Sequence, residues 1–481
     1  MARTISRRAA LAAALLVAGC VSLEPELPPA EAELPVDWPI SPVAAAEPAP
    51  AGPVVEVGWR DFFAEPGLRA IIAQALDNNR DLRVAMLNVD RARAQYRIQR
   101  SERLPSLDAD AALQRGRLGP QPLGGATGGG EQPVSEYYSV ELGVTAFELD
   151  LFGRVRDLSR AELQRYFATD EARRNAQLAL IAEVATTWLT LGADLELLRT
   201  TEETVASQAK TLELTQQRYA LGAASALDAS QALAALEGAR AELSRQAADV
   251  ARGTNALRLL AGGRLDPVWL PGGFRPLGGP MAAVPAGLPS ELLLRRPDVI
   301  SAEHRLRAAN ADIGAARAAF FPSITLTGSI GSVSDELDEL FDSGSDVWSI
   351  VPRVRVPVFQ GGRLRAGLEM AEADRDIRLA EYERAIQTGF REVADGLALG
   401  QTLQQQRGAL EARLKAATRS RGFAEARFRA GRDSYFVLLD TERTLYVARQ
   451  ALILTELAEQ TNRIALYKAM GGGWLPQEVD P

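Results

Sequence analysis

The chain has 481 residues, a formal net charge of −8 and only 6% aromatic residues. An acidic chain without a basic stripe is not expected to bind nucleic acid. A single histidine, His304, and a single cysteine, Cys20, argue strongly against a zinc cluster, a Cys–His nucleophile pair and a disulfide scaffold. We therefore expect no enzyme activity, no metal site and no bound cofactor.

The first residues have the organisation of an export signal. Arg7 and Arg8 precede a short apolar run over residues 9–18, and small residues then lead directly to Cys20. The run is shorter than the roughly 20 apolar residues that a membrane-spanning helix needs. The pattern predicts a signal peptide over residues 1–19 and a covalent lipid on Cys20. An ordinary signal peptide followed by a chance cysteine is the alternative.

A stretch rich in proline and alanine follows the cysteine and shows no hydrophobic periodicity. This composition predicts an extended N-terminal tether over residues 20–57. Beyond the signal, no uninterrupted apolar run approaches 18 residues. Any passage of this chain through a membrane is therefore predicted to use β-strands.

The rest of the chain repeats itself. In each half, one glycine precedes a long helical pattern, a second follows it, and a third ends the next helical segment. The pairs keep a constant offset of 209 residues: Gly153 with Gly362, Gly222 with Gly431, and Gly262 with Gly471. Several matches in one fixed register indicate an internal duplication.

The duplication predicts two homologous domains, each with a helix, two strands and a long helical hairpin. The leading helices are expected at about residues 81–103 and 298–319, where a 3–4 spacing of apolar residues ends at a proline. The predicted domain limits are 58–265 for the first repeat, 266–474 for the second, 264–290 for the linker between them and 475–481 for a C-terminal tail.

Alternating apolar and polar residues predict the strands. The alternation covers residues 138–146 in the first repeat, and residues 324–330 and 348–358 in the second. The loops between paired strands are long, over residues 115–135 and 332–346. The flanking glycines of each long helix are 69 positions apart, which allows about 100 Å of helix at 1.5 Å per residue. Helices of that length are typical of coiled coils.

The predicted number of strands limits the architecture. Four strands do not close a barrel, and lipid does not tolerate an open sheet edge. A membrane sheet must then be shared between chains, and the interior of an eight-stranded barrel holds little more than side chains, so a conduit favours twelve strands. The predicted fold is mainly α with a membrane β-barrel: a trimeric twelve-strand barrel plus an α-helical periplasmic tunnel.

Two segments carry a resemblance to a known family. Residues 288–298, LPSELLLRRPD, and residues 308–323, AANADIGAARAAFFPS, resemble the signature of outer membrane efflux lipoproteins. From about Gly58 to Trp474 the chain is similar to the outer membrane factors, the TolC-like ducts, in their NodT-type lipoprotein branch. In the bacterial lipoproteins that the N-terminus resembles, a residue such as Val21 after the cysteine implies location in the outer membrane.

The resemblance implies both an assembly and its partners. The chain is expected to form a homotrimer in outer-membrane lipid, with a large periplasmic extension. A periplasmic adaptor, or membrane fusion protein, and an inner-membrane pump are the expected partners, and the pump of this family is commonly of the proton-driven RND type.

The two hairpin ends share a Gly-x-x-Ser pattern. A glycine there ends a helix with positive φ, and Ser225 is predicted to cap the following helix in a capping box with Asp228. An ordinary interhelical turn uses the same residue types. The resemblance implies that these tips contact the adaptor. The predicted contact residues are Leu221, Gly222, Ala223, Ser225, Ala430, Gly431, Arg432 and Ser434.

A candidate gate lies just after the second tip. Phe436, Asp440 and Arg443 stand at i, i+4 and i+7, so they share one helix face. The resemblance implies that this face lines the closed periplasmic end, where a phenylalanine replaces the more usual aliphatic residue. Three Asp440 carboxylates of a trimer would meet at the axis and favour a trapped cation. A solvated Asp440–Arg443 surface pair of low energy is the alternative.

The surroundings of the gate differ between the repeats. Gln231 occupies the position that corresponds to Asp440 in the first repeat, so the gate is predicted in the second. Arg429 and Asp228 are expected to tie helices together at the same end. The sole histidine, His304, is expected on the surface of a polar helix.

These features predict an outer-membrane exit duct that passively conducts small molecules from a periplasmic pump–adaptor complex to the exterior. Two alternatives remain open from the sequence. One is the outer-membrane duct of a type I protein secretion system, which has the same fold. The other is a non-conducting periplasmic coiled-coil structural lipoprotein, although such a protein needs no lipid-facing strands.

Overall fold

The computed structural model describes residues 22–30, 58–116, 134–277 and 290–472. The predicted signal peptide, Cys20, residues 31–57 of the tether, residues 278–289 of the linker and the C-terminal tail lie outside the described residues. The described helices are α1 (Trp59–Phe62), α2 (Pro66–Asn78), α3 (Arg80–Ser101), α4 (Arg154–Ala220), α5 (Ala226–Leu260), α6 (Pro297–Ala318), α7 (Arg363–Arg429) and α8 (Tyr435–Ala469). The strands are β1 (Asp108–Gly116), β2 (Ser135–Leu149), β3 (Ser323–Ser334) and β4 (Asp346–Arg355).

The two halves share their order of elements. Helices α4 and α7 each contain 67 residues, and α5 and α8 each contain 35. Their end residues differ by the same 209 positions that relate the glycines of the sequence. Gly222 and Gly431 follow the long helices with φ of +74° and +72°, a conformation that residues with a Cβ rarely adopt. Glycine therefore ends both long helices at equivalent points.

Two helices at the start of the first repeat were missed by the sequence interpretation. α2 begins with Pro66 at its first turn, and its Leu68, Ile71 and Ile72 are fully buried. Proline at the first helical position and this 3–4 spacing are ordinary helix signals. The short α1 precedes it. The predicted leading helices are otherwise within two residues of α3 and α6.

The chain divides into two compact units that do not coincide with the repeats. One unit contains residues 22–30, 89–116, 134–169 and 301–382, and the other contains the described residues among 31–88, 170–300 and 383–481. The division falls inside both long helices. Each unit therefore contains parts of both repeats, so neither repeat is a separate compact unit.

The first unit contains an antiparallel sheet with the strand order β1-β2-β3-β4. Strand β2 of the first repeat pairs with β3 of the second, so the sheet joins the repeats. The β2–β3 register shifts between Val144 and Phe147, and Ala146 adopts a φ of +51°. This bulge interrupts the alternation that the sequence predicted to continue through Ala146. β4 ends at Arg355, three residues before the predicted end of that strand.

The start of the predicted tether is packed against the first unit. Residues 22–30 have no helix or strand, but Asn310 Nδ2 on α6 donates to Pro25 O at 2.7 Å. Arg160 on α4 forms an ion pair with Glu24. At Gly314 on α6, a Cβ would lie 3.1 Å from the backbone of Glu24. A glycine thus allows the segment to approach the helix closely.

The same unit places His304 away from its expected position. Its Nδ1 lies 2.7 Å from Gln164 Oε1 on α4, and its ring lies beside Phe167. The side chain is half-buried, and this burial lowers the pKa of His304. The histidine expected on the surface is therefore only partly exposed, because α6 packs against α4 on that side.

The second unit has the main apolar core. Leu257 of α5, Ile72 of α2 and Trp188 of α4 are among its buried members. Trp188 Nε1 donates to Trp269 O at 2.9 Å, so its polar edge is satisfied inside the core. One 18-residue window of α4 has a mean hydropathy of 1.4 and could cross a membrane by length and composition alone, but 61% of it is buried within the protein. It serves as core.

Arg296 explains part of the signature segment. It is almost fully buried in the second unit, and its guanidinium donates to Ala469 O at the end of α8, to Asp298 and to Glu392 of α7. The bond to Ala469 satisfies a carbonyl that a helix end leaves without a partner. Burial acts against its positive charge, but the bonds to the two carboxylates outweigh it and raise the pKa of Arg296. One arginine thus fixes α6, α7 and α8 together.

We expect Gly262→Ala to destabilise the chain much more than Gly222→Ala. Both glycines follow a long helix with positive φ, which costs alanine about 1 kcal/mol. At Gly222 a Cβ would meet nothing within 4 Å, whereas at Gly262 it would overlap the backbone of Asn78. That overlap adds roughly 1–3 kcal/mol. Thermal unfolding of the purified variants measures the difference, and equal losses would contradict this packing.

Candidate functional site

One face of the sheet is apolar and is left uncovered by the described residues. The register places Ala109 opposite Leu142, Leu142 opposite Ile330, and Ile330 opposite Trp348. This row crosses all four strands on one face, and its members are exposed, Trp348 to 74%. An exposed apolar surface of this kind marks contact with lipid or with another chain.

The other face of the sheet is polar. There Asp108, Gly143, Ser329 and Ser349 form the neighbouring row across the four strands. The hydroxyls of Ser329 and Ser349 lie 3.0 Å apart, within hydrogen-bond distance. An apolar face and a polar face on one sheet are typical of strands that separate lipid from water.

The first hairpin tip contains the predicted capping box. Asp228 N donates to Ser225 Oγ at 3.1 Å, and Ser225 N donates to Asp228 Oδ2 at 3.0 Å. Both bonds satisfy backbone donors that the start of a helix leaves without partners. The adjacent tip residues are exposed, and Leu221 is exposed to 83%. The tip therefore presents an apolar side chain on a rigid turn.

The second tip is held differently. Ser434 is the N-cap residue of α8, but its side chain makes no capping bond. Instead, Arg427 Nε donates to Asp433 Oδ2 at 2.7 Å across the turn. This pair lowers the pKa of the Asp433 carboxyl. Ala430, Gly431, Arg432 and Ser434 are exposed.

The two hairpins are joined near their tips by a residue that the sequence interpretation did not select. Arg218 of α4 donates to Phe428 O at 2.8 Å and to Arg429 O at 3.1 Å, at the end of α7. Its guanidinium also lies 4.6 Å from the centre of the Phe428 ring. Arg218 thus satisfies two carbonyls at the end of α7. Its equivalence to Arg427 in the repeat was the available signal.

The predicted ties through Arg429 and Asp228 are absent from the described residues. Arg429 pairs with Glu425 on its own helix, one turn earlier. Asp228 is engaged in the capping box with Ser225. Both side chains have closer local partners than the neighbouring helix offers, so the expectation of inter-helix ties was wrong.

The predicted gate residues lie on one uncovered face of α8. Phe436 is exposed to 60%, and Asp440 and Arg443 are also exposed. Within the part of the chain that the structure describes, Asp440 and Arg443 form no ion pair with each other. The surface pair considered as an alternative is therefore not formed. The face stays available to a neighbouring molecule.

The opposite face of α8 is packed into a small apolar cluster, here called the tip core. Within it, Tyr435 is almost fully buried, and burial raises its pKa to about 12. Packing on this side fixes the direction in which the gate residues point. The buried members of the tip core are Leu212, Ala232, Leu236, Ala424, Phe428, Tyr435, Leu438 and Leu439.

Comparison with known proteins identifies the family. The family model described as outer membrane efflux protein matches residues 71–263 and 288–472. Each matched segment falls inside one predicted repeat, although the exact domain limits stay predictions. The chain belongs to the outer membrane efflux protein family, which is a family of efflux channels and not an enzyme class.

Individual proteins of this kind are similar over nearly the whole chain. The probable efflux pump outer membrane protein TtgC of Pseudomonas putida is 44% identical over 464 residues, which cover 96% of this chain and 95% of that protein. A membrane protein of Pseudomonas aeruginosa has a crystal structure with a TM-score of 0.86 and 41% identity, and the match covers 94% and 98% of the two chains. The crystal structure of the open state of the MtrE outer membrane channel of Neisseria gonorrhoeae has a TM-score of 0.78 and 36% identity, and the match covers 94% of this chain and 98% of that one.

These findings confirm the predicted family, the efflux function and the location in the outer membrane. They also confirm the coarse fold, which is mainly helical and similar to TolC-like outer membrane channels. In residues 22–30, 58–116, 134–277 and 290–472, no three His, Cys, Asp or Glu side chains are placed to hold a metal ion.

We expect Ser225→Ala to loosen the first turn of α5, because it removes the hydroxyl oxygen that accepts from Asp228 N, while the backbone N of residue 225 can still donate to Asp228. Losing such a cap costs about 1 kcal/mol. Ser434→Ala is the matched control in the second repeat, where the side chain makes no capping bond. Amide hydrogen exchange of the first turn of each helix measures both effects. Similar losses at the two sites would contradict the difference between the tips.

Proposed function

We propose that the chain is the exit duct of a tripartite efflux system and conducts small molecules passively to the cell exterior. Its relatives are named as efflux pump outer membrane proteins. The observation that carries the proposal is the sheet with one exposed apolar face and one polar face. In a periplasmic helical lipoprotein without a membrane barrel, that apolar face would be exposed to water.

The proposed assembly is a homotrimer with a twelve-strand barrel. Within one chain, β1 and β4 lie at the edges of the sheet, and their outer backbone groups need partners in lipid. Pairing β4 of one chain with β1 of the next closes the sheet after three copies. The strands have 9, 15, 12 and 10 residues, enough for the roughly 9–11 needed to cross a bilayer. Particle size in detergent and heat-modifiable migration test the trimer.

The proposed anchor is a lipid on Cys20. The support is the position of the only cysteine directly after the signal segment. Glu24 and Pro25, close behind it, contact α4 and α6 of the first unit. A few extended residues span roughly 3.3–3.6 Å each, so the lipid would be held close to that unit. Mass spectrometry of the mature N-terminus tests the modification.

The proposed partners are a periplasmic adaptor at the hairpin tips and an inner-membrane pump of the RND type. The tip residues support an adaptor contact because they are exposed and rigidly held. An apolar side chain surrounded by polar turn residues is the kind of group that stabilises a protein interface.

We expect Leu221→Glu to weaken binding of the cognate adaptor about tenfold, because a charge would replace an apolar interface residue. Titration of the purified duct with adaptor measures the affinity. Leu259→Glu is the control, because Leu259 is similarly exposed but lies at the other end of α5. A loss of the same size at both positions would mean that the tip is not the contact.

The proposed periplasmic gate is the exposed face of Phe436, Asp440 and Arg443. In a trimer the three copies of this face would approach the axis, and Asp440 could pair with Arg443 of a neighbouring chain or bind a cation. The absence of an Asp440–Arg443 pair within the described chain supports an intermolecular role. The apolar ring of Phe436 would narrow the passage.

We expect Asp440→Ala to increase the conductance of the duct in planar bilayers. Charge pairs of this kind contribute roughly 0.2–1 kcal/mol, so the open fraction should rise by up to about fivefold. Gln231→Ala is the control, because Gln231 has the equivalent position in the first repeat. Unchanged conductance of the Asp440 variant would contradict a gate at this face.

A further inference from the structure

Behind the gate face, α8 turns a charged residue toward the protein interior. Tyr435, Leu438 and Leu439 form the buried stripe of α8, and Glu442 continues it at i+7, i+4 and i+3. The position is one where a packed helix normally has an apolar side chain. Glu442 is nevertheless only 7% exposed. It lies one residue before Arg443 of the gate face.

Glu442 has few partners for a buried carboxylate. Ser207 Oγ on α4 donates to Glu442 Oε1 at 3.1 Å. The same Oγ accepts from Arg421 Nη2 on α7, also at 3.1 Å. Arg421 itself remains 3.8 Å from Glu442 and pairs at 2.8 Å with Glu425. Within the described residues, Glu442 Oε2 is buried and has no hydrogen-bond partner. The charge is therefore only partly compensated.

The surroundings of Glu442 are polar and incompletely filled. A cavity of about 250 Å³ lies between α4, α5 and α8, lined in part by Thr204, Gln208, Glu242 and Glu442. Among the described residues, the amide oxygen of Gln208 is also buried without a partner. Beside the cavity, the hydroxyl of Tyr446 lies 2.9 Å from that of Thr201 on α4. This polar layer follows directly on the apolar tip core.

Burial raises the pKa of Glu442, and the bond from Ser207 and the charge of Arg421 offset this only in part. An acid with a raised pKa in the folded chain destabilises that chain when it ionises. The α8 contact is therefore strongest in acid and weakens as pH rises above the ordinary glutamate pKa. The titratable and charged groups that face Glu442 are Glu203 on α4, Glu242 on α5, Arg421 and Glu425 on α7, and Tyr435, Arg443, Tyr446 and Arg449 on α8.

We infer that Glu442 is a positioning residue for the gate: its buried, half-compensated carboxylate weakens the packing of α8 against α4 and α5. Movement of α8 away from α4 would hydrate the carboxylate and its unpaired oxygen. Replacing partly paired buried charges by apolar residues often stabilises a protein. Arg421 would keep Glu425 as its partner if Glu442 were removed. This role rests on the proposed gate at Phe436, Asp440 and Arg443.

Amide hydrogen exchange of the full-length purified duct in detergent tests the inference. We expect Glu442→Leu and Glu442→Gln to increase protection of residues 435–449 about tenfold at pH near 8, equivalent to about 1.4 kcal/mol. Wild-type protection should fall as pH rises above the ordinary glutamate pKa of about 4.3, after correction for intrinsic exchange, and both variants should lose this dependence. Glu456→Gln is the matched control, since burial also raises the pKa of Glu456 on the same helix.

The outcomes separate the two proposals. Equal or lower protection in Glu442→Leu, or wild-type pH dependence in Glu442→Gln, would overturn the role of Glu442. Conductance is the second measurement, and it should fall in both variants if a firmly packed α8 closes the gate. Increased protection with unchanged conductance would leave the packing effect in place but reject its link to a gate, whereas Asp440→Ala tests the gate itself.

Discussion

The backbone at the two edges of the sheet is the constraint on which the rest of the structure depends. Four strands pair in the order β1-β2-β3-β4 and leave one side of β1 and one side of β4 open. The apolar row on one face is suited to contact with lipid, and in lipid each unpaired backbone group costs several kcal/mol of free energy. In the proposed trimer, neighbouring chains supply those partners. Each pair of strands is followed along the chain by one helical hairpin, so each chain contributes two hairpins to the assembly.

Duplication produced similar helices but different local chemistry. Both hairpins have equal lengths and end at a glycine with positive φ. One tip is held by a capping box at Ser225, and the other by the ion pair of Arg427 and Asp433. The buried stripe of α8 contains Glu442, whereas α5 has an exposed leucine at the equivalent position, Leu233. The second hairpin alone therefore places a buried carboxylate behind the proposed gate, since the corresponding side chain of the first hairpin is an exposed leucine.

Much of the fold could be predicted because its signals are local. Helix ends, strand alternation and the capping box depend on residues close together in the chain, and these predictions agreed with the structure to within a few residues. Predictions about side-chain partners were less successful. Arg429 and Asp228 were expected to join helices but bind neighbours on their own turns, and Arg218 makes that connection instead. A sequence shows which charged residues are present, but a long side chain can form ion pairs of similar energy with several different partners.

The sequence by itself determined the duplication, the four strands and the positions of the hairpin ends, because periodicity and glycine spacing follow from backbone geometry. The family followed from the resemblance of residues 288–298 and 308–323 to a known signature. Only the tertiary structure decided which residues face inward. It packed His304 against α4 so that its side chain is half-buried, packed Glu24 against α6 and placed Glu442 inside a partly filled polar layer. The physical reason is that burial depends on what another helix presents at the point of contact. The residues that make such a contact can lie more than two hundred positions apart in the chain, as Ser207 and Glu442 do.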